Sequence, residues 1–171
     1  VFMVGIILPY HSVGKFISGT GLILIAIWLW NYDIARKSVK AKGMHRYTGS
    51  LLLAGYFWLL VCGLLMIVDF GSIYNYDAML HAFFLGFTFS MIFAHAPIIF
   101  PGVAGLTIRP FHDTLFIWAV LLQVTLAMRI ISGLLMETQY RSLSGMLIAV
   151  IIILFFVNLV IVIISKQRKA A

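Results

Sequence analysis

Charge is what this chain has least of. Lys, Arg, Asp and Glu together make up 10% of its 171 residues, and only five residues are acidic, whereas an average soluble domain is about 25% charged. So little acid leaves no paired intramembrane carboxylates, and neither HExxH, a nucleophile elbow nor a phosphate-cradling glycine loop is present, so the sequence offers no hydrolytic chemistry. A single cysteine, Cys62, excludes an internal disulfide and carries no functional signal. The long apolar runs lack the period-2 alternation of a membrane barrel strand. Neither an internal repeat nor a low-complexity tract interrupts them.

What is present is hydrophobic length. The chain is 63% hydrophobic with a mean hydropathy of +1.10, the composition of an integral membrane protein. Lipid satisfies no backbone polar group, so such runs must be helices. The expected fold is an all-α polytopic bundle forming a single transmembrane domain over 1–171. A partial span covers 1–8, and five full spans cover about 16–34, 47–69, 79–100, 113–136 and 143–165. Short connectors make neighbouring spans antiparallel, and Trp28, Trp30, Tyr74 and Tyr76 near span ends suit an aromatic belt. The chain starts at Val1 inside an apolar run, so residues are expected to precede it, and no signal peptide is assigned.

The net charge of +7 raises the question of nucleic acid, and its placement answers it. Arg36, Lys37, Lys40, Lys42 and Arg46 share one loop, Arg109 lies in the loop two spans later, and Lys166, Arg168 and Lys169 lie in the tail. All fall on one side of the expected membrane. Lys15 and Arg141, with Asp69, Asp77 and Glu137, fall on the other. The positive-inside rule puts the basic loops and C-terminus in the cytoplasm, as in a bacterial inner membrane. The basic run 36–46 is then a topogenic loop beside anionic lipid rather than a nucleic-acid surface.

Histidines carry the strongest chemical signal. HAFFLGFTFSMIFAH, residues 81–95, closes an uncharged run with a histidine at each end. At 100° per residue, fourteen positions return to within about 40° of the starting direction and rise about 21 Å. His81 and His95 are thus expected on one face at opposite leaflets, with His11 near the first and His45 and His112 near the second. Ala82, Gly86, Ser90 and Ala94 form a small-residue line at spacing four, suited to close helix packing.

A b-type haem needs axial nitrogens projecting into a dry bundle. The spacing resembles the histidine pairs of dihaem membrane cytochromes b, in which two helices each carry such a pair, whereas here one does. His11, His45 or His112 would have to supply second ligands. Copper held by two or three histidines is the other metal reading. Interfacial histidines that need no ligand are the competing explanation, and proton transfer a third. Arg129, two turns inside its span, needs a partner. Asp69 at similar depth is the acidic candidate, and a haem propionate would serve equally. Gln123, Thr125 and Asn158 read as interhelical hydrogen-bonding residues, Asp113 and Thr114 as a helix N-cap, and Pro97 as a kink that re-aims His95.

The block LHAFFLGFTFSMIFAHAPIIFPGVAG, the later LAMRI and the preceding YTGSLLLAGYFWLLVCGLL resemble the later half of the NnrS family over about residues 20–135. Those are haem- and copper-associated membrane proteins linked to nitric oxide and nitrosative stress. The resemblance implies that His81 matches the family's histidine at the start of the corresponding span, and Arg129 an arginine late in the next. NnrS proteins are longer and have more spans. Their histidine span continues into an arginine-containing segment where this chain reads AHAPIIFPGVAG, so no role carries over to His95. The expected function is electron transfer or handling of a diatomic gas, with His81, His95 and Arg129 as cofactor residues. The alternatives are a structural subunit of a larger membrane complex, in which the histidines are interfacial, and a small-solute transporter with Arg129 in its pathway; the expected partners are membrane lipid and other membrane subunits or a homo-oligomer.

Overall fold

The computed structural model describes residues 1–7, 13–105 and 110–170, with side chains as far as Arg168. His11 and Arg109 lie outside the described residues. The helices are α1 (Phe2–Ile7), α2 (Lys15–Tyr32), α3 (Ala35–Ser38), α4 (Met44–Ile67), α5 (Asn75–His81), α6 (Phe89–Val103), α7 (Thr114–Leu134) and α8 (Thr138–Ala170). No strand occurs among the described residues. A π-helical stretch, Ala82–Thr88, joins α5 to α6, so Asn75–Val103 runs as one helix of 29 residues.

Four helices are long and apolar enough to cross a membrane: α4, the continuous α5–α6, α7 and α8. The segment expected as a further full span over 16–34 is helical, but its 18 residues include Lys15 and Asn31, and it is not among the four. The partial span over 1–8 is the short α1. Helix α8 extends beyond the expected 143–165 at both ends.

Helix α4 lies at the centre, touching α2, α3, α5, the π stretch, α6 and α7. Absent side chains let it do so. A Cβ on Gly63 would lie 2.8 Å from the Gly19 carbonyl, and one on Gly19 would lie 2.7 Å from the Gly63 carbonyl, so α2 and α4 cross with backbones in contact. The small-residue line is buried, with Ala82, Ser90 and Ala94 fully so. A Cβ on Gly86 would meet the Trp58 side chain at 2.4 Å. The Trp58 indole N–H donates to Gln123 Oε1 of α7, and Gln123 Nε2 donates to Ser90 Oγ at 3.1 Å. One amide therefore joins three helices where lipid would supply no partner. Asn158 is likewise interhelical, accepting from Thr114 Oγ1 at 3.2 Å. Thr125 is not: its hydroxyl donates to Leu121 and Leu122 of its own helix, the local bond open to any helical threonine.

Pro97 lies inside α6 rather than ending it. It has no N–H for the Phe93 carbonyl, four residues back, and the buried Tyr47 hydroxyl donates to that oxygen instead at 3.0 Å. Thr48 Oγ1 supports the next carbonyl, Ala94, at 3.2 Å. Phe93 itself stacks on Phe155 of α8 with ring centres 3.6 Å apart. Tyr47→Phe is expected to destabilise the protein by about 1–2 kcal/mol by orphaning a buried carbonyl. Adding Pro97→Ala should recover much of that loss, because the restored N–H can close the helix. Unfolding in mixed detergent micelles measures both, and equal losses in single and double variants would refute the substitution of one donor for the other.

Candidate functional site

The two ends of the bundle differ in chemistry. At one end lie the start of α4 with His45, the end of α6 with His95, the start of α7 after His112, and the distal part of α8, tied by Tyr47 against Phe116 and by Thr114 to Asn158. At the other end lie the start of α5, the end of α7 and the start of α8, joined by Ser72 Oγ donating to the Gly133 carbonyl at 2.7 Å. The histidines thus divide between ends in the expected way, with His81 apart from His45, His95 and His112.

Asp77 organises the second end. Its Oδ2 lies 3.2 Å from Arg129 Nη2 and 3.3 Å from Arg141 Nη2, and its Oδ1 lies 3.4 Å from His81 Nδ1. Arg129 is paired, as its depth requires, but with Asp77 rather than Asp69. Asp69 sits beyond the end of α4 and accepts from the Gly71 N–H at 3.0 Å. Arg141, which had no assigned role, is the second cation. It reaches the cluster because α7 ends in a tight turn: Glu137 N–H donates to the Ser132 carbonyl at 2.8 Å and Met136 N–H to Gly133, with Met136 at φ 61°. This is the six-to-one closure of a helix end, here with methionine in the left-handed position that glycine usually takes.

The cluster is held from several sides. Arg129 Nη1 donates to the Arg141 carbonyl at 2.9 Å, and Gly145 leaves room for it, since a Cβ there would lie 2.6 Å from that nitrogen. The Arg141 guanidinium lies 3.9 Å over the Tyr74 ring, a stacked cation–π arrangement. Arg129 Nε and Arg141 Nε are buried without a hydrogen-bond partner. With His81 neutral, two guanidinium groups face one carboxylate, so the site carries an excess positive charge and two unsatisfied donors. The one signal in the sequence for Asp77 is its place four residues before His81, which puts both on one helix face.

His81 and His95 share a local geometry. His81 Nδ1 lies 2.7 Å from the Asp77 carbonyl oxygen, and His95 Nδ1 lies 2.8 Å from the Met91 carbonyl oxygen. Each contact needs the proton on Nδ1, which leaves the Nε2 lone pair as the ligating position of a neutral ring. His81 has the Asp77 carboxylate beside the same nitrogen at 3.4 Å, an arrangement that orients a ligating imidazole. The π stretch between them turns less per residue than an α-helix, because each bond spans five residues, so the 40° offset expected for a regular helix does not hold. Both rings are partly buried, and Phe84, Ile92 and Ile99 along the same helix are exposed.

His45 and His112 are exposed. His112 Nδ1 accepts from the Thr114 backbone N–H at 3.2 Å, so this ring caps α7, and Asp113, expected as the cap, makes no side-chain cap bond. Its lone pair is spent at Nδ1, the opposite tautomer from His81. Among the described residues no three of His, Cys, Asp and Glu gather as a metal site, so a three-histidine copper site finds no counterpart there. Cys62 is buried and unpaired.

A family model described as Domain of unknown function (DUF8744) matches residues 1–165. Neither a curated protein nor a solved structure matches the chain.

Proposed function

The chain belongs to the DUF8744 family, whose description assigns no chemistry, and from its own residues we propose an integral membrane haem protein that transfers electrons or handles a diatomic gas such as nitric oxide. The observation that carries this is His81: a membrane-helix imidazole whose Nδ1 is held by the Asp77 carbonyl and carboxylate, leaving Nε2 for iron. Arg129 and Arg141, in excess over Asp77 and with buried unsatisfied Nε donors, suit the propionates of a haem at that level. His95 has the same backbone restraint without the carboxylate, and is the candidate for a second site. The two lie about 21 Å apart along an ideal helix, too far to share one iron. A haem b would supply the redox chemistry. This chain's residues would set its position and the charge around its carboxylates.

In this reading the basic loop and the C-terminus face the cytoplasm, α2 is a fifth span, and the similarity to NnrS proteins around His81 and Arg129 reflects shared cofactor chemistry. A structural role in a larger membrane complex is the second reading. It is favoured by the absence, among the described residues, of any gathering of three His, Cys, Asp or Glu side chains.

The absorption spectrum of the purified, detergent-solubilised protein decides between them. A Soret band that loses intensity in His81→Ala and is unchanged in His45→Ala is the expected result. A spectrum without a Soret band after haem reconstitution, with iron and copper both absent by elemental analysis, would sink the cofactor reading and leave the structural one.

A further inference from the structure

Seven residues of π-helix, Ala82–Thr88, lie between the Asp77 end of the bundle and the packed middle of the same long helix. Each π bond spans five residues instead of four, so the stretch holds one residue more than an α-helix would between the same flanks. Within it the Thr88 hydroxyl donates to the Phe83 carbonyl, five residues back, at 3.3 Å. Fewer than about 1% of residues in globular proteins adopt this pattern, so contacts at its two ends have to hold it in place.

Those contacts differ in kind. On the C-terminal side they are buried packing: Gly86 lies against the Trp58 side chain, and the fully buried Ser90 accepts from Gln123 at 3.1 Å. On the N-terminal side they are ionic and partly exposed. Asp77 meets Arg129 at 3.2 Å and Arg141 at 3.3 Å. If the stretch became α-helical while the packed side stayed fixed, the surplus residue would pass into α5 and turn it by one position, about 100°. Asp77 would then no longer face the two guanidinium groups. The π pattern and the ion cluster thus depend on each other.

The surroundings leave room for that turn. Phe84 is exposed and Phe83, Leu85 and Phe87 are half-buried. Leu80, Phe83 and Phe84 border an apolar cavity of about 200 Å³ together with Met66 and Met79. Before α5, residues 68–74 are not helical, so the chain there can take up the displaced residue.

We propose that the Asp77 cluster is the latch of a π-to-α switch in this helix. While Asp77 is paired with Arg129 and Arg141 the π stretch persists; when Asp77 is displaced from them the stretch becomes α-helical, and α5 turns as a unit with His81 on it. The output of the switch is the direction in which His81 points. It rests on bond pattern and ion pairing alone and needs no haem.

The test uses the full chain in detergent without haem, carrying Cys62→Ala, so that its failure leaves the haem reading standing. Nitroxide labels go on the exposed positions Tyr76 of α5 and either Leu64 of α4 or Ile131 of α7, and electron paramagnetic resonance gives the distances. A label about 5 Å from the helix axis moves roughly 8 Å through a turn of about 100°, so Asp77→Asn should shift at least one of the two distances by several ångströms. Deleting Phe84 removes the surplus residue. The shortened protein should fold with the parent distances, and Asp77→Asn should no longer shift them. Unchanged distances in Asp77→Asn, or an equal shift with Phe84 deleted, would each overturn the proposal. Should the Phe84 deletion fail to fold, deletion of Leu85 takes its place. If both are as damaging as deleting Ile92 from the regular α6, the stretch holds no surplus residue and the switch is refuted.

Discussion

Asp77→Asn is expected to lower the unfolding free energy by about 2–3 kcal/mol, the largest effect of any single polar substitution in this protein. Removing the carboxylate leaves Arg129 and Arg141, both of which pair with Asp77, without that counter-charge. Breaking a fully buried ion pair by removing one partner costs about 3–5 kcal/mol; the value here is lower because the Asp77 side chain is 30% exposed and solvent screens part of the repulsion. Arg129→Gln should cost less, about 1–2 kcal/mol, since Arg141 still balances Asp77. The double variant Asp77→Asn with Arg129→Gln should be more stable than the sum of the single losses predicts, because the uncompensated charge is gone. Unfolding curves in mixed micelles give all three values. Additive losses within about 0.5 kcal/mol would mean that the two groups do not interact.

Gly63→Leu is expected to cost about 3 kcal/mol and to part α2 from α4. The obstacle includes backbone as well as side chain: a Cβ at position 63 would press on the Gly19 carbonyl at 2.8 Å and the Ile23 nitrogen at 3.2 Å, besides Ile23 Cγ1 at 2.7 Å. Neither helix can accommodate the leucine without moving away, and the packing that joins α2 to the centre of the bundle would be lost with it. Gly102→Leu provides the control, since a Cβ there meets nothing within 4 Å, and should change stability by no more than about 0.5 kcal/mol. A disulfide trap between cysteines placed on facing positions of α2 and α4 reads the geometry directly. It should form in the parent and fail in Gly63→Leu, and equally efficient trapping in both would refute the backbone crossing.

Much of the helical frame was legible in residue order because a lipid-facing chain must close its own backbone hydrogen bonds. Hydrophobic length therefore marks helices almost directly, and α4, α7 and α8 begin or end within a few residues of the expected bounds. The small-residue line Ala82, Gly86, Ser90 and Ala94 was legible for a related reason, since spacing four on a helix defines a face whatever lies opposite. Gln123 and Asn158 were legible as polar groups that lipid cannot satisfy. Less accessible were features that depend on bond pattern rather than residue type. The π stretch Ala82–Thr88 has no distinctive composition, yet it changes the azimuth of His81 relative to His95.

Sequence alone determined that this is a helical chain with segments long and apolar enough to cross a membrane, and that His81, His95 and Arg129 occupy positions where polar groups need a reason. Tertiary structure alone decided which partner each one has. Asp69 and Asp77 lie eight residues apart and match Arg129 about equally well in depth, but depth is one coordinate and pairing needs three. Helix α4 ends at Ile67, which leaves Asp69 in a turn capping Gly71, whereas Asp77 stands on the first turn of α5 and faces α7. The closure at Met136 then brings Arg141 back onto the same carboxylate, a contact set by a backbone turn rather than by any spacing along the chain.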